Sequence, residues 1–217
     1  MNTKALLDIS MDMIKRYSDR YNNLGYNIRT LGWGTVEQQK YRFEQTLFLH
    51  IPYKNNIVLD IGCGFGDYYK FLVERNVMIK QYIGWDINKD LINEARQRYD
   101  DKKVKFDIVD LTTECENEIV ADIGVMLGVL NLNFKEKMNN YEYSKLIINN
   151  AFNKVSKVLI VDFLSTQFTP DYPKEDFVFY HSPAEVMKIA LDITPNVVLN
   201  HSYLPIPQKE FMLFLYK

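Results

Sequence analysis

Three acidic residues stand at the ends of apolar runs in this chain, and a cluster of glycines follows the first. Asp60 lies in Ile57-Val-Leu-Asp-Ile61, directly before Gly62, Gly64 and Gly66. Asp86 ends Tyr82-Ile-Gly-Trp-Asp86, and Asp110 follows Val104-Lys-Phe-Asp-Ile-Val109. An acid in a buried strand is costly unless something pairs with it, so Asp60 at a strand's carboxyl end points to a polar ligand or to backbone donors. The glycines let the chain turn sharply and bring its backbone against a ligand with no Cβ in the way. Asp86 comes 20 residues after Gly66, the distance at which an acid accepts the hydroxyls of a ribose. Asp110 can accept an adenine amino group while the Leu111 amide donates to the ring. The chemistry is that of a ligand carrying an adenosine.

Nicotinamide dinucleotides and S-adenosylmethionine both satisfy that description. A dinucleotide turn is typically G-x-G-x-x-G, with a helix N-terminus aimed at a pyrophosphate. Here the spacing is G-x-G-x-G and an aspartate precedes it. Beside a pyrophosphate Asp60 would be repulsive, whereas beside the ammonium or sulfonium of S-adenosylmethionine it is complementary. Methyl transfer fits better.

With these residues in place, the chain resembles the class I S-adenosylmethionine-dependent methyltransferases. The resemblance is carried by Val58-Leu-Asp-Ile-Gly-Cys-Gly-Phe-Gly-Asp67, by Ile83-Gly-Trp-Asp-Ile-Asn88 and by Asp110, and covers roughly residues 35 to 217. It implies an α/β, Rossmann-like, doubly wound sheet of seven strands in the order 3-2-1-4-5-7-6, strand 7 antiparallel, with N-terminal helices. It also implies a cofactor set of Asp60, Ile61, Gly62, Cys63, Gly64, Gly66, Asp86, Ile87, Asp110, Leu111, Leu127 and Gly128. The stretch Gly32-Trp-Gly-Thr-Val-Glu-Gln-Gln-Lys-Tyr-Arg42 is similar to the segment that small bacterial members lay against the methionine end of the cofactor. Trp33, Gln39 and Arg42 are the candidates there, Arg42 being suited to a carboxylate.

The elements that must position these residues follow from the alternation of strand-like runs and helical patterns after residue 56. Strands are expected at 56–61, 79–85, 104–109, 121–127 and 157–163, then near 196–203 and 210–216. Helices are expected at 66–75, 88–99, 139–153 and 182–192, with a weak one at 112–119. Pro205-Ile-Pro207-Gln-Lys is too short for a crossover helix, so the last two strands should pair as an antiparallel hairpin. Before the core, Ala5, Leu6, Ile9, Met13 and Ile14 recur at helical spacing over residues 3–18, and a loop is expected over 19–34. A second helix starts with Thr35 as N-cap and closes at Pro52, with His50 near its end. Residues 1–50 then read as a helical lid or flank, and 51–217 as the methyltransferase core of a single domain.

The acceptor should meet the methyl group beyond strands four and five, in Leu127-Gly-Val-Leu-Asn-Leu-Asn133 and Val161-Asp-Phe-Leu-Ser165. Asp162 is a candidate general base, Asn131 a candidate for orienting substrate or loop, and His181 an alternative base at a helix start made by Ser182 and Pro183. His50 and His201 have less claim. Residues 165–181 form a long irregular stretch of the kind that often carries function. Among 15 Tyr and 13 Phe, most belong to the core, and Tyr21, Tyr26, Trp33, Tyr172, Phe179 and Tyr180 are the loop aromatics that a sulfonium cage could use.

The formal net charge of -2 gives no global attraction to nucleic acid or anionic membrane. Cys63 and Cys115 are too few for a disulfide framework or a thiolate zinc site, and no metal is expected. No signal-peptide pattern or membrane-length apolar run occurs, so a cytoplasmic protein is expected. The partner is then a small-molecule methyl acceptor, methylated on oxygen or nitrogen. RNA methylation, or cofactor binding without turnover, are the alternatives. Lysine- and asparagine-rich composition points to a bacterial source, where such enzymes tailor glycan, phosphorylated or secondary-metabolite precursors. The sequence does not specify the oligomeric state.

Overall fold

The computed structural model describes residues 3–113, 118–170, 172–204 and 208–217. Its centre is a seven-stranded sheet made of β1 (Ile57–Ile61), β2 (Gln81–Asp86), β3 (Val104–Ile108), β4 (Ala121–Met126), β5 (Val155–Leu164), β6 (Val197–Asn200) and β7 (Glu210–Tyr216). The order is β3-β2-β1-β4-β5-β7-β6. β1 pairs in parallel with both β2 and β4, while β7 runs antiparallel to β5 and β6. This is the doubly wound, Rossmann-like sheet expected, with its antiparallel strand at the expected place.

Central strands covered on both faces must be apolar throughout, and β4, β5 and β7 are buried along nearly their whole length. The covering helices are α1 (Thr3–Leu24), α2 (Val36–Gln45), α3 (Asp67–Glu74), α4 (Lys89–Arg98), α5 (Asn140–Phe152) and α6 (Pro183–Ile193). Two cores result, one on each sheet face: Leu59, Leu159 and Ile148 belong to one, Val58, Phe71 and Phe214 to the other.

Several local expectations change. α1 runs on through residues 19–24, expected to be loop, and stops at Gly25, whose φ of +62 suits glycine at a helix end. Its extra turn is held by polar contacts to α4: Ser18 Oγ donates to Asp90 and Tyr21 OH to Glu94, each at 2.6 Å. Ile14, expected on the apolar face, is 37% exposed. Thr35 caps α2 in a reciprocal box with Gln38, but the helix ends at Gln45 rather than at Pro52. His50 therefore terminates no helix; it sits beyond one at φ +46. Of the weak helix expected over 112–119, residues 112, 113, 118 and 119 are not helical; residues 114–117, with Cys115, lie outside the described residues. The turn Pro205–Pro207 also lies outside them. Among the described residues, no helix is long and apolar enough to cross a membrane.

Candidate active site

The cleft forms where the sheet order reverses, beyond the carboxyl ends of β1, β2 and β4, as open parallel sheets require. β1 delivers Asp60, which is 3% exposed and accepts a hydrogen bond from Tyr82 OH. Burial pushes its pKa up to about 7, against the pull of the Tyr82 hydrogen bond. The turn that follows is anchored on β2, where Gly62 and Cys63 N–H donate to Trp85 O at 2.7 and 3.0 Å. At Gly62, φ is +74 and an added Cβ would come within 2.5 Å of Val129 Cγ2; at Gly64, φ is +53 and it would come within 2.8 Å of Leu31 Cδ2. Glycine is required at both places, by backbone conformation and by the opposite wall.

The other two acids stand where expected. Asp86 Oδ2 accepts from Gly64 N–H at 3.0 Å and Oδ1 from Asn88 N–H at 2.9 Å, which ties the glycine turn to the end of β2. Burial raises the Asp86 pKa while these backbone donors lower it. Asp110 Oδ1 accepts from Thr112 N–H at 2.8 Å. A carboxylate oxygen has two acceptor sites, so these bonds leave Asp86 able to receive ligand donors. Asp60, Ile61, Gly62, Cys63, Gly64, Asp86, Ile87, Asp110, Leu111, Leu127, Gly128, Trp33 and Gln39 all border one cleft of about 1090 Å³, its open mouth included. Gly66 does not border it; a Cβ there would strike Phe106 at 2.8 Å, so this glycine serves packing behind the turn.

Residues outside the expected set complete the walls. Met13 and Tyr17 of α1 and Asp67 of α3 face the cleft. Asp67 is held by Tyr26 OH at 3.0 Å and by Gln39 Nε2 at 3.3 Å. Met13 and Tyr17 are four residues apart, a helical spacing that continues the apolar face of residues 3–18 and was available to find Tyr17. Asp67 lies within the motif itself, as the first residue of its helix.

Besides Gly66, four expected site residues go elsewhere. Arg42, proposed for the cofactor carboxylate, is 8% exposed and pairs with Glu210, lies 3.4 Å from Asp162 Oδ2 and stacks 4.3 Å from the Trp33 ring centroid. Its charge is already matched by two buried acids, so it does not border the cleft. Asp162, proposed as a base, is 1% exposed and accepts from Gly128 N–H at 2.5 Å; it pins the loop after β4 to β5. Asn131 accepts from Leu164 N–H at 3.2 Å and, through its backbone, from Phe179 N–H at 3.0 Å, stitching the loops after β4 and β5 together. His181 is fully buried 3.2 Å from Ser144 Oγ, against Phe163 and Phe179, and burial lowers its pKa to about 3. None of these three faces the cleft, and an imidazole that stays neutral and shielded does not act as base to a ligand there. Of the loop aromatics, only Trp33 reaches the cleft. No group of three or more metal-ligating side chains occurs among the described residues.

Residues 58–142 match the family model of a methyltransferase domain. The sheet order and the glycine turn between acids agree with that match. The magnesium protoporphyrin IX methyltransferase of Synechocystis PCC 6803, solved with bound SAM, is 16% identical, with a TM-score of 0.68 over 98% of this chain and 97% of that one. An S-adenosylmethionine-dependent methyltransferase from Clostridium acetobutylicum ATCC 824 is 13% identical, with a TM-score of 0.62 over 93% and 98%. Phosphoethanolamine N-methyltransferase 1 of Haemonchus contortus is 12% identical, with a TM-score of 0.67 over 96% of this chain and 49% of that one. At such identities the likeness is one of fold. No curated protein sequence matches the chain.

Proposed function

We propose that this chain transfers the methyl group of S-adenosylmethionine to an oxygen or nitrogen of a small molecule. The observation that carries the reading is the convergence of Asp60, Asp86 and Asp110, from three adjacent strand ends, on one cleft floored by a glycine turn. The fit is chemical at each station. Asp60 meets an ammonium, Asp86 a ribose diol, and Asp110 with the Leu111 amide an adenine edge, between the apolar surfaces of Ile87 and Leu111. The bare backbone at Gly62 and Gly64 admits the methionine chain where any side chain would collide.

When bound, S-adenosylmethionine supplies a methyl carbon activated by its sulfonium: the acceptor's lone pair forms the new bond as the carbon–sulfur bond breaks, its electrons going to sulfur. The chain's part is to align the partners and exclude water. Trp33 packs over Gly128, and Val129 and Leu132 continue that wall beyond β4. Asp162 and His181 are committed to structural contacts and do not serve as general base. A small-molecule acceptor is favoured over RNA because the net charge of -2 offers no polyanion surplus. The relatives that act on magnesium protoporphyrin IX and phosphoethanolamine are consistent with a small acceptor.

Isothermal titration against S-adenosylmethionine and against NADH tests the donor, and S-adenosylhomocysteine release from a metabolite extract tests turnover. Saturable S-adenosylmethionine binding with product release is expected. NADH binding without a response to S-adenosylmethionine overturns the assignment.

A further inference from the structure

A second groove runs beside the cleft between α1 and residues 132–137, with Phe177 on its far side, and it shares Met13 and Leu132 with the cleft. Its charged residues do not balance. Asp12 pairs with Lys137 across the groove, and exposed Lys135 and Glu136 are adjacent and of opposite sign. Arg16 remains. Its guanidinium stacks 5.0 Å from the Phe177 ring centroid, and its buried Nε has no hydrogen-bond partner among the described residues.

Its place over the ring holds the guanidinium at the groove while Nε–H stays unpaired, so the group can donate to a planar or tetrahedral oxyanion. A buried donor without a partner is costly to the fold, and a ligand that accepts from it explains its retention. The charge is also felt in the cleft. Burial raises the pKa of Tyr17, the next residue along α1 and part of the cleft wall, and the charge of Arg16 works against that rise. The groove offers about 560 Å³, within the range of small-molecule sites.

We propose that this groove holds the methyl acceptor, and that Arg16 takes an anionic group of it, a carboxylate or a phosphate. The reacting oxygen or nitrogen then reaches the cleft between Met13 and Leu132. This rests on the methyltransferase reading above and narrows the acceptor to acidic small molecules.

Two measurements test it. The Arg16 Nε–H resonance of the whole chain is followed while sodium phosphate, and separately sodium acetate, replaces chloride at constant ionic strength. A saturable shift with at least one of the two is expected, and the stronger probe tells phosphate from carboxylate. A shift no larger than chloride's with both overturns the anion site, whether or not the chain binds S-adenosylmethionine. In the second, a metabolite extract is split on anion-exchange resin and each fraction is assayed for S-adenosylhomocysteine release. Release should be confined to the retained fraction, and Arg16→Gln should raise its KM at least tenfold while S-adenosylmethionine affinity stays within twofold. Release from the unretained fraction, or an unchanged KM in Arg16→Gln, overturns the assignment.

Discussion

Asp60 is a carboxyl that the fold holds largely neutral below neutrality, since burial pushes its pKa up to about 7. Raised above its ordinary value, the group opposes the ligand-free fold progressively as pH climbs toward 7, because the buried charge then lacks a counterion. An incoming ammonium reverses that cost but needs the ionised form. Affinity for S-adenosylmethionine should therefore rise between roughly pH 5.5 and 7, by up to about tenfold per pH unit. Titration calorimetry across that range checks this; Asp60→Asn should bind weakly with a flat profile, and a flat profile in the unaltered chain removes Asp60 from the ammonium. His181 shows the opposite sign. Its folded pKa of about 3 means that the unfolded chain alone takes up a proton as pH falls below about 6.5, and stability is lost on that side. Denaturant unfolding at about pH 6.5 and pH 4.5 should show that loss reduced by roughly 2 kcal/mol in His181→Gln. An equal loss in both proteins means that His181 is not the buried neutral group described. The acids at strand ends were legible in the sequence because their spacing follows the chain locally. The destination of His181 was not: it depends on Ser144, 37 residues away, and on aromatic neighbours brought in by tertiary folding.

At the scale of elements, the cluster of Arg42, Asp162 and Glu210 joins α2 to β5 and β7. Sequence reading of α2 reached its N-cap, because a capping box is a local pattern, but not where its arginine points, because Glu210 is 168 residues away. The same limit explains α1. Its last turn is polar and lacks an apolar period, and what holds it helical is a pair of hydrogen bonds to α4 about 70 residues on. Removing the cation from a buried site with two acids leaves uncompensated charge, which costs about 3–5 kcal/mol. Arg42→Met should lose that much in denaturant unfolding. Glu210→Gln should lose clearly less, since one arginine faces two carboxylates and the substitution relieves the excess. Equal losses would mean that the Arg42–Glu210 pair alone governs the cluster and that Asp162 adds no excess charge to it.

For the molecule as a whole, the sheet order places the ends of β1, β2 and β4 side by side while α1 and α2 supply the facing wall. The order was implied by the resemblance that the glycine turn and its acids carry, while the terminal hairpin was legible in the short link between the last two strands. The facing wall was less legible, since Met13, Tyr17 and Leu31 look in sequence like ordinary core residues. A cleft built from segments this far apart in the chain exists only when the whole molecule is folded. A ligand that fills it should therefore stabilise the global fold and not one element. S-adenosylmethionine at 100 times its Kd should add about 2.7 kcal/mol. For a chain of this size that is a rise in Tm of roughly 5–11 °C. Thermal unfolding followed both by far-ultraviolet circular dichroism and by tryptophan fluorescence checks the point, because Trp33 and Trp85 both border the cleft. Coincident transitions that move up together are expected. A fluorescence transition that moves while the circular dichroism transition stays would mean that the wall formed by α1 and α2 closes on the ligand as a separate unit, without coupling to the sheet.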